Sequence, residues 1–536
     1  MADTAIAAQS HRKVIIASSL GTVFEWYDFY LYGLLATIIS AQFFSGVNDT
    51  TAFILALGAF AAGFAVRPFG ALVFGRVGDL VGRKYTFLVT MGLMGLSTFA
   101  VGLLPSYASI GVAAPLLLVG LRLLQGLALG GEYGGAAIYV AEHAPEGKRG
   151  FYTSFIQTTA TLGLFAALLV VIGLRTWMGE EAFADWGWRV PFLLSAILLG
   201  VSLWIRLQLA ESPVYQAMKE EGETSKAPLS EAFGRWSNLK WVLVALLGAV
   251  AGQAVVWYTG QFYALFYLEK VLKVDGGTAN ILIAIALAIG TPFFLFFGWL
   301  SDRIGRKPII MAGLALAALT YFPLFGALTT AANPALAQAQ ARAPVTVFAD
   351  PGSCSVQFDP IGKTQFDKTG CDIAKSALAK AGVPYTNESG DYGIAAVIAI
   401  GDRRIPIEPG SATDLAAATA DAGYPAKADP TRINKPLVVA ILTALVLLVT
   451  MVYGPIAALL VELFSARIRY TAMSLPYHIG NGWFGGFLPT IAFAMVAATG
   501  DIYAGLWYPI GVAVLTLVVG LLFLPETFRR SIGHRD

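Results

Sequence analysis

The amino-acid sequence predicts an all-α integral membrane protein with twelve transmembrane helices in two pseudo-symmetric six-helix bundles and a small α/β-like extracytoplasmic insert. Three observations carry that expectation. The 536 residues are 57% hydrophobic and 13% charged, whereas soluble domains carry about 25% charged residues. So few charges could not solvate the outside of a soluble multidomain enzyme. Twelve apolar runs are long enough, at about 20 residues each, to cross a hydrocarbon core. Finally, one ten-residue pattern occurs twice, 223 residues apart. With 36 basic and 34 acidic residues there is no polybasic face, which excludes nucleic acid as a partner.

The apolar runs lie near 14–39, 52–74, 86–104, 112–141, 151–174, 189–209, 241–268, 278–300, 308–330, 436–460, 471–497 and 504–524. They divide the chain into a tail (1–13), a six-helix bundle (14–209), an interdomain loop (210–240), helices seven to nine (241–330), an insert (331–435), helices ten to twelve (436–524) and a second tail (525–536). Met1–Gln9 lacks a basic start and the run that follows is full-length, so no cleavable signal is expected. Short loops on the side of the N-terminus carry 20 Lys and Arg, against four on the other side (Arg175, Arg189, Lys270, Lys273). By the positive-inside rule both tails are expected on the cytoplasmic side and the insert on the extracytoplasmic side.

The insert breaks the composition. It is polar, with strand-like stretches at Pro344–Phe348 and Ile394–Ile400 and a helical stretch at Asp372–Ala381. It holds both cysteines, Cys354 and Cys371. An oxidising compartment favours a disulfide between them, which would stabilise the segment by roughly 3 kcal/mol. A segment this long is expected to fold as a small cap rather than an open connector.

The repeated pattern is G-x-x-x-D-x-x-G-R-K: Gly75, Asp79, Gly82, Arg83 and Lys84 after span two, and Gly298, Asp302, Gly305, Arg306 and Lys307 after span eight. Two parallel six-helix halves are the architecture of secondary transporters, with the substrate near the midplane between them. This loop resembles the signature of the major facilitator superfamily. An Asp in it can cap a neighbouring helix and pair with a basic residue, so Asp79, Arg83, Asp302 and Arg306 are assigned to gating. Plain positive-inside anchoring would explain the Arg and Lys residues but not the Asp and Gly positions.

Span one contains Glu25-Trp26-Tyr27-Asp28-Phe29-Tyr30-Leu31-Tyr32-Gly33. Two carboxylates in an apolar span are costly when charged, at about 2.5–3.5 kcal/mol for Asp at a helix centre. Burial therefore favours their protonated form, as proton coupling by Glu25 and Asp28 requires. The alternative is a structural pairing with Arg67 or Arg122. The span resembles the first helix of the metabolite:H⁺ symporter family. Arg67-Pro68, Arg122 with Gln125, Gly130-Gly131-Glu132, Glu211-Ser212-Pro213, Glu462 with Arg467 and Arg469, and Pro525-Glu526-Thr527 agree with that resemblance. The long segment between helices nine and ten resembles haloacid permeases.

Arg122 lies about 17 Å into span four, where its planar guanidinium suits a carboxylate; the alternative is a permanent pair with Glu132 or Glu25. Gln125 lies beside it, and Tyr32 shares a helix face with Asp28. Span eleven, Pro476-Tyr477-His478-Ile479-Gly480-Asn481-Gly482, reads as an interrupted helix lining a cavity. Tyr477, His478 and Asn481, with Gln261 in span seven, complete the substrate-binding candidates. No phosphate-cradling loop is present and the four histidines make no metal spacing, so no cofactor, no metal and no enzymatic activity are expected. The partners expected are a small-molecule substrate, protons and the lipid bilayer, for a chain working as a monomer. The resulting expectation is proton-coupled import of a small organic anion such as a mono- or dicarboxylate or a haloacid. Uptake of a zwitterionic osmolyte such as proline or betaine is the alternative, and a nontransporting receptor the third reading.

Overall fold

The computed structural model describes residues 19, 21–46, 49–207, 212–355, 368–390, 392–393, 395–408 and 415–532. The tail 1–13 with His11, Arg12 and Lys13, and also Glu211, Ile394, His534 and Arg535, lie outside the described residues.

Twelve helical segments stand where the apolar runs predict them. We number them α1 (21–43, with a turn at Leu35), α2 (Asp49–Val81), α3 (Arg83–Leu103), α4 (Ala113–His143), α5 (Arg149–Met178) and α6 (Arg189–Leu207). The second half follows as α7 (Trp236–Val271), α8 (Gly276–Ile304), α9 (Arg306–Ala332), α10 (Lys435–Leu463), α11 (Arg469–Val496) and α12 (Ala504–Phe523). Among the described residues nine are single helices long and apolar enough to span a membrane. A tenth span is α6 joined to Glu180–Gly187 through a bend of 59°.

The repeated pattern is not a loop, as its sequence implied. Helices α2 and α8 run through its Gly and Asp positions, and the chain breaks only at Gly82 (φ 130°) and Gly305 (φ 107°). These backbone conformations are accessible to glycine and strained for other residues, so each glycine marks the corner where one helix hands over to the next. We call the side of the protein that carries both corners the latch face, and the opposite side the insert face.

Backbone proximity builds the bundles. A Cβ on Gly126 of α4 would sit 2.0 Å from the carbonyl oxygen of Gly63 on α2, and one on Gly130 would sit 2.3 Å from that of Arg67. Small residues let membrane helices approach this closely, where lipid offers no hydrophobic drive to hold them together. The same device joins the two halves, since a Cβ on Gly298 of α8 would sit 2.6 Å from the carbonyl oxygen of Gly150 on α5.

The insert is a four-stranded sheet of β1 (Val345–Ala349), β2 (Thr386–Ser389), β3 (Ala396–Ile400) and β4 (Arg403–Ile407), in the order β2-β1-β3-β4. Only β1 and β2 are parallel. Helix Gly370–Ala381 packs on the sheet, and Cys354 and Cys371 are joined by a disulfide. The sequence reading found β1, β3 and the helix but not β2 or β4. Every residue of β2 is exposed, so it lacks the two-residue alternation of a half-buried strand. β4 carries Pro406, which is tolerated because the strand lies at the sheet edge.

Gly126→Val should prevent the α2–α4 approach and lower the detergent-solubilised melting temperature by several degrees. Gly120→Val on the same helix, where nothing lies within 4 Å, should leave it within one degree. Equal melting temperatures would contradict this packing account.

Candidate functional site

Three layers of side chains meet between the halves, and the one at the latch face is ionic. Asp79, near the end of α2, accepts hydrogen bonds from the Thr471 amide (2.9 Å) and hydroxyl (2.7 Å) in the first turn of α11. Asp302 holds the matching place on α8 and accepts from the amides of Gly150 and Phe151, each at 2.8 Å, in the first turn of α5. Each carboxylate thus caps a helix of the opposite half and meets the positive end of its dipole, which stabilises by roughly 0.3–2 kcal/mol. Arg306 binds Asp302 at 2.7 Å and Glu462 at 3.0 Å within its own half. The side chain of Arg83 lies outside the described residues.

Two further ion pairs cross between the halves, and the sequence reading missed them. Arg149 at the start of α5 reaches Glu462 at the end of α10 (3.4 Å), while Arg469 at the start of α11 reaches Glu142 at the end of α4 (2.7 Å). All four side chains are buried. The signal was present as a second repeat: Glu142 and Arg149 are seven residues apart, as are Glu462 and Arg469. A matched residue also follows each half. Ser212 bonds Glu142, and Thr527 bonds Glu462 at 2.9 Å.

Behind this latch, Tyr133 of α4 stacks on Tyr477 of α11 with ring centroids 3.6 Å apart, and Tyr477 shares a hydroxyl contact of 2.8 Å with Tyr453. On the insert side, Trp26 packs against Trp257 at 5.5 Å and Tyr30 stacks on Phe262 at 5.6 Å. Tyr30 also donates to Gln261 at 3.4 Å. Between these aromatic layers lies a cavity bordered by Glu25, Arg67, Tyr258, His478 and Asn481. Its volume is about 30 Å³, on the scale of one or two water molecules. Ring contacts between the halves flank this cavity on its latch side and on its insert side.

The structure distributes the remaining candidates unevenly. Arg67, Tyr477, His478 and Asn481 border the inter-half cavity, whereas Arg122, Gln125 and Tyr32 do not. Arg122 lies over the Tyr32 ring at 4.4 Å and donates to Gln125 at 2.5 Å, inside the N-terminal half. Tyr32 itself donates to the carbonyl of Ala56. Arg67 is buried, lies over Phe64 at 4.4 Å and Phe29 at 5.1 Å, and hydrogen-bonds Tyr258. Among the described residues it belongs to no ion pair. Both ring nitrogens of buried His478 lack a hydrogen-bond partner among the described residues.

Asp28 faces the interior of the N-terminal half, where the Ser195 hydroxyl donates to it at 2.6 Å. The Thr98 hydroxyl is also within reach of Asp28, and it accepts from Gln125 at 2.9 Å. Glu132 is an electrostatic neighbour of Asp28. Glu25 borders both this interior space and the inter-half cavity. Span eleven is interrupted by a π-helical segment, Gly480–Gly485. A Cβ on its Gly482 would sit 2.9 Å from the carbonyl oxygen of Phe64 across the interface.

A family model described as "Sugar (and other) transporter" matches residues 13–235 and 410–535, and one described as "MFS/sugar transport protein" matches residues 135–349. The chain belongs to the major facilitator superfamily. This facilitator is 36% identical over 338 residues to the alpha-ketoglutarate permease of Escherichia coli, covering 62% of this chain and 76% of the permease. It is 39% identical over 316 residues to the proline/betaine transporter of Salmonella typhimurium, covering 58% of this chain and 63% of that protein. The proton:xylose symporter XylE, bound to 6-bromo-6-deoxy-D-glucose, shares the fold with a TM-score of 0.65 over 98% of both chains at 16% identity. The facilitator is accordingly a multi-pass membrane protein of a transporter family.

Outside the spans, Arg467 grips Glu231 of the interdomain loop with two hydrogen bonds of 2.9 and 2.8 Å. Burial alone would raise the Glu231 carboxyl, but hydrogen bonds and charge from Arg467 outweigh it and hold it below the usual carboxylate range. A carboxyl held low in the folded state stabilises above its unfolded value of about 4.3, and that contribution disappears as pH falls through the folded value. With Arg467 half exposed, the pair is worth less than about 1 kcal/mol. Glu231→Gln should therefore melt slightly below wild type at pH 7, and the gap should close as pH falls through the lowered folded-state value of Glu231, below the unfolded value of about 4.3. A gap that widens in acid would contradict the assignment.

Proposed function

We propose that this facilitator imports a small organic anion together with protons across a bacterial inner membrane by alternating access. In this reading both termini are cytoplasmic, the latch face is cytoplasmic and the insert is periplasmic. The observation that carries it is Arg67, a permanently charged guanidinium in the inter-half cavity with no ion-pair partner among the described residues. A substrate carboxylate would supply the missing counter-charge bidentately, with His478 and Asn481 as neighbouring hydrogen-bonding groups. Arg67 takes the anion-binding role that the sequence reading gave to Arg122.

Asp28 and Glu25 carry the coupled proton. Glu25 borders the cavity, and Asp28 lies one turn further along the same helix among neutral hydroxyls. The contacts from Arg122 through Gln125 and Thr98 to Asp28 link the protonation site to Arg122, which shares a small pocket inside the N-terminal half with Arg67. Gating falls to Asp79, Asp302, Arg306 and the crossing pairs, with Arg83 completing the repeat.

One observation favours a zwitterion instead. The cavity has one guanidinium, one carboxylate (Glu25) and walls of Trp26, Trp257, Tyr258, Tyr453 and Tyr477. Aromatic walls attract quaternary ammonium groups, so a betaine-like osmolyte would fit with its carboxylate on Arg67.

Uptake into proteoliposomes across short mono- and dicarboxylates, haloacids, proline and betaines decides between them. Accumulation of the transported compound should collapse with a protonophore, and Asp28→Asn should retain exchange while losing accumulation. Arg67→Gln should weaken half-saturation at least tenfold, and more than Arg122→Gln does. Accumulation indifferent to the protonophore would end the symport reading, and unchanged half-saturation in Arg67→Gln would remove Arg67 from the site.

A further inference from the structure

The two C-terminal helices that border the cavity most closely are both irregular. α7 contains π-helical segments at Leu246–Val250, Thr259–Tyr263 and Tyr267–Val271, and α11 contains one at Gly480–Gly485. Such segments interrupt the regular hydrogen-bond ladder and frequently occur at functional sites. Of these, Tyr267–Val271 lies at the insert-face end of α7, while Gly480–Gly485 of α11 lies beside the cavity.

The insert fastens the insert-face ends of both helices. In the α7–α8 turn, the Lys273 carbonyl accepts from the Ala428 amide at 3.0 Å, and the Lys273 ammonium donates to the Pro425 carbonyl at 3.0 Å. Lys273 has a left-handed backbone (φ 57°), which a residue with a Cβ keeps only when its surroundings fix it. In the α11–α12 turn, the Gly500 carbonyl accepts from the Tyr385 amide at 3.0 Å, and the Thr499 carbonyl accepts from the Asn387 side chain at 2.5 Å. The Tyr385 ring packs where a side chain on Gly500 would project. In the α9–α10 connection, the Asn434 amide donates to the Ala331 carbonyl at 2.9 Å, and Asn333 donates to the Leu272 carbonyl at 2.9 Å. The insert thus leaves and re-enters the bundle at one point and makes its other attachments at the two neighbouring turns.

The body between these attachments is cross-linked. It has a four-stranded sheet, a helix packed on it and the Cys354–Cys371 disulfide. The Tyr424 hydroxyl also donates to the Ala343 carbonyl at 2.8 Å.

We propose that the insert is a brace that makes the insert face of the C-terminal half a single rigid body. It ties the ends of the irregular helices α7 and α11 together, so that the half moves as a unit while the cavity between the halves opens. The proposal does not depend on the identity of the cargo.

Spin labels on Gly277→Cys and Ala498→Cys, beside the two fastened turns, test this in the full chain reconstituted into nanodiscs. The two native cysteines are joined in the disulfide and do not take label. The otherwise wild-type pair should give one narrow distance at both pH 5 and pH 8. Adding Tyr385→Ala and Asn387→Ala should broaden that distribution at least twofold. Two populations in the first protein, or an unbroadened distribution in the second, would overturn the brace.

Discussion

The arrangement on which the rest depends is the exchange of helix caps between the two halves. Asp79 sits on α2 but satisfies the first turn of α11, and Asp302 sits on α8 but satisfies the first turn of α5. A helix N-terminus leaves four amides without intrahelical partners. Supplying the acceptors from the opposite half makes the integrity of two helices conditional on the closed interface. The flanking pairs Arg149–Glu462 and Arg469–Glu142 repeat this logic with full charges. Losing one partner of a buried pair costs about 3–5 kcal/mol, so separation of the halves requires water or new partners for each group. In the proposed alternating-access cycle these are the contacts that would break and re-form.

Closure at the latch face gives the buried chemistry behind it a purpose. The Tyr133–Tyr477 stack and the Trp26–Trp257 and Tyr30–Phe262 contacts flank a cavity lined by Arg67, Glu25 and His478. A buried guanidinium is costly without a counter-charge. An anion that restores balance would change the relative stability of closed and open states, and that is the physical content of coupling between binding and movement.

Much of this was legible in the sequence. Span lengths, the G-x-x-x-D-x-x-G-R-K repeat and the break in span eleven follow from composition and spacing alone. Other parts were hidden for identifiable reasons. Arg67 and Arg122 look equivalent as single basic residues within apolar spans, and only the rotation of α2 against α4 turns one toward the cavity and the other toward Tyr32. The crossing pairs were encoded as a seven-residue Glu–Arg spacing, but the insert changes the offset between halves from 223 to 320 residues, which hides the second repeat from a search at a single offset. Strand β2 was illegible because it is exposed throughout.

The most direct measurement of the central claim is the distance across the latch face, between spin labels on Glu146→Cys in the α4–α5 turn and Arg303→Cys near the end of α8. With both caps intact the distribution should be dominated by one short distance. In the Asp79→Ala, Asp302→Ala double variant a second, longer population should become the major one. A double variant with an unchanged distribution would contradict the account, because the halves would then be held by something other than the exchanged caps.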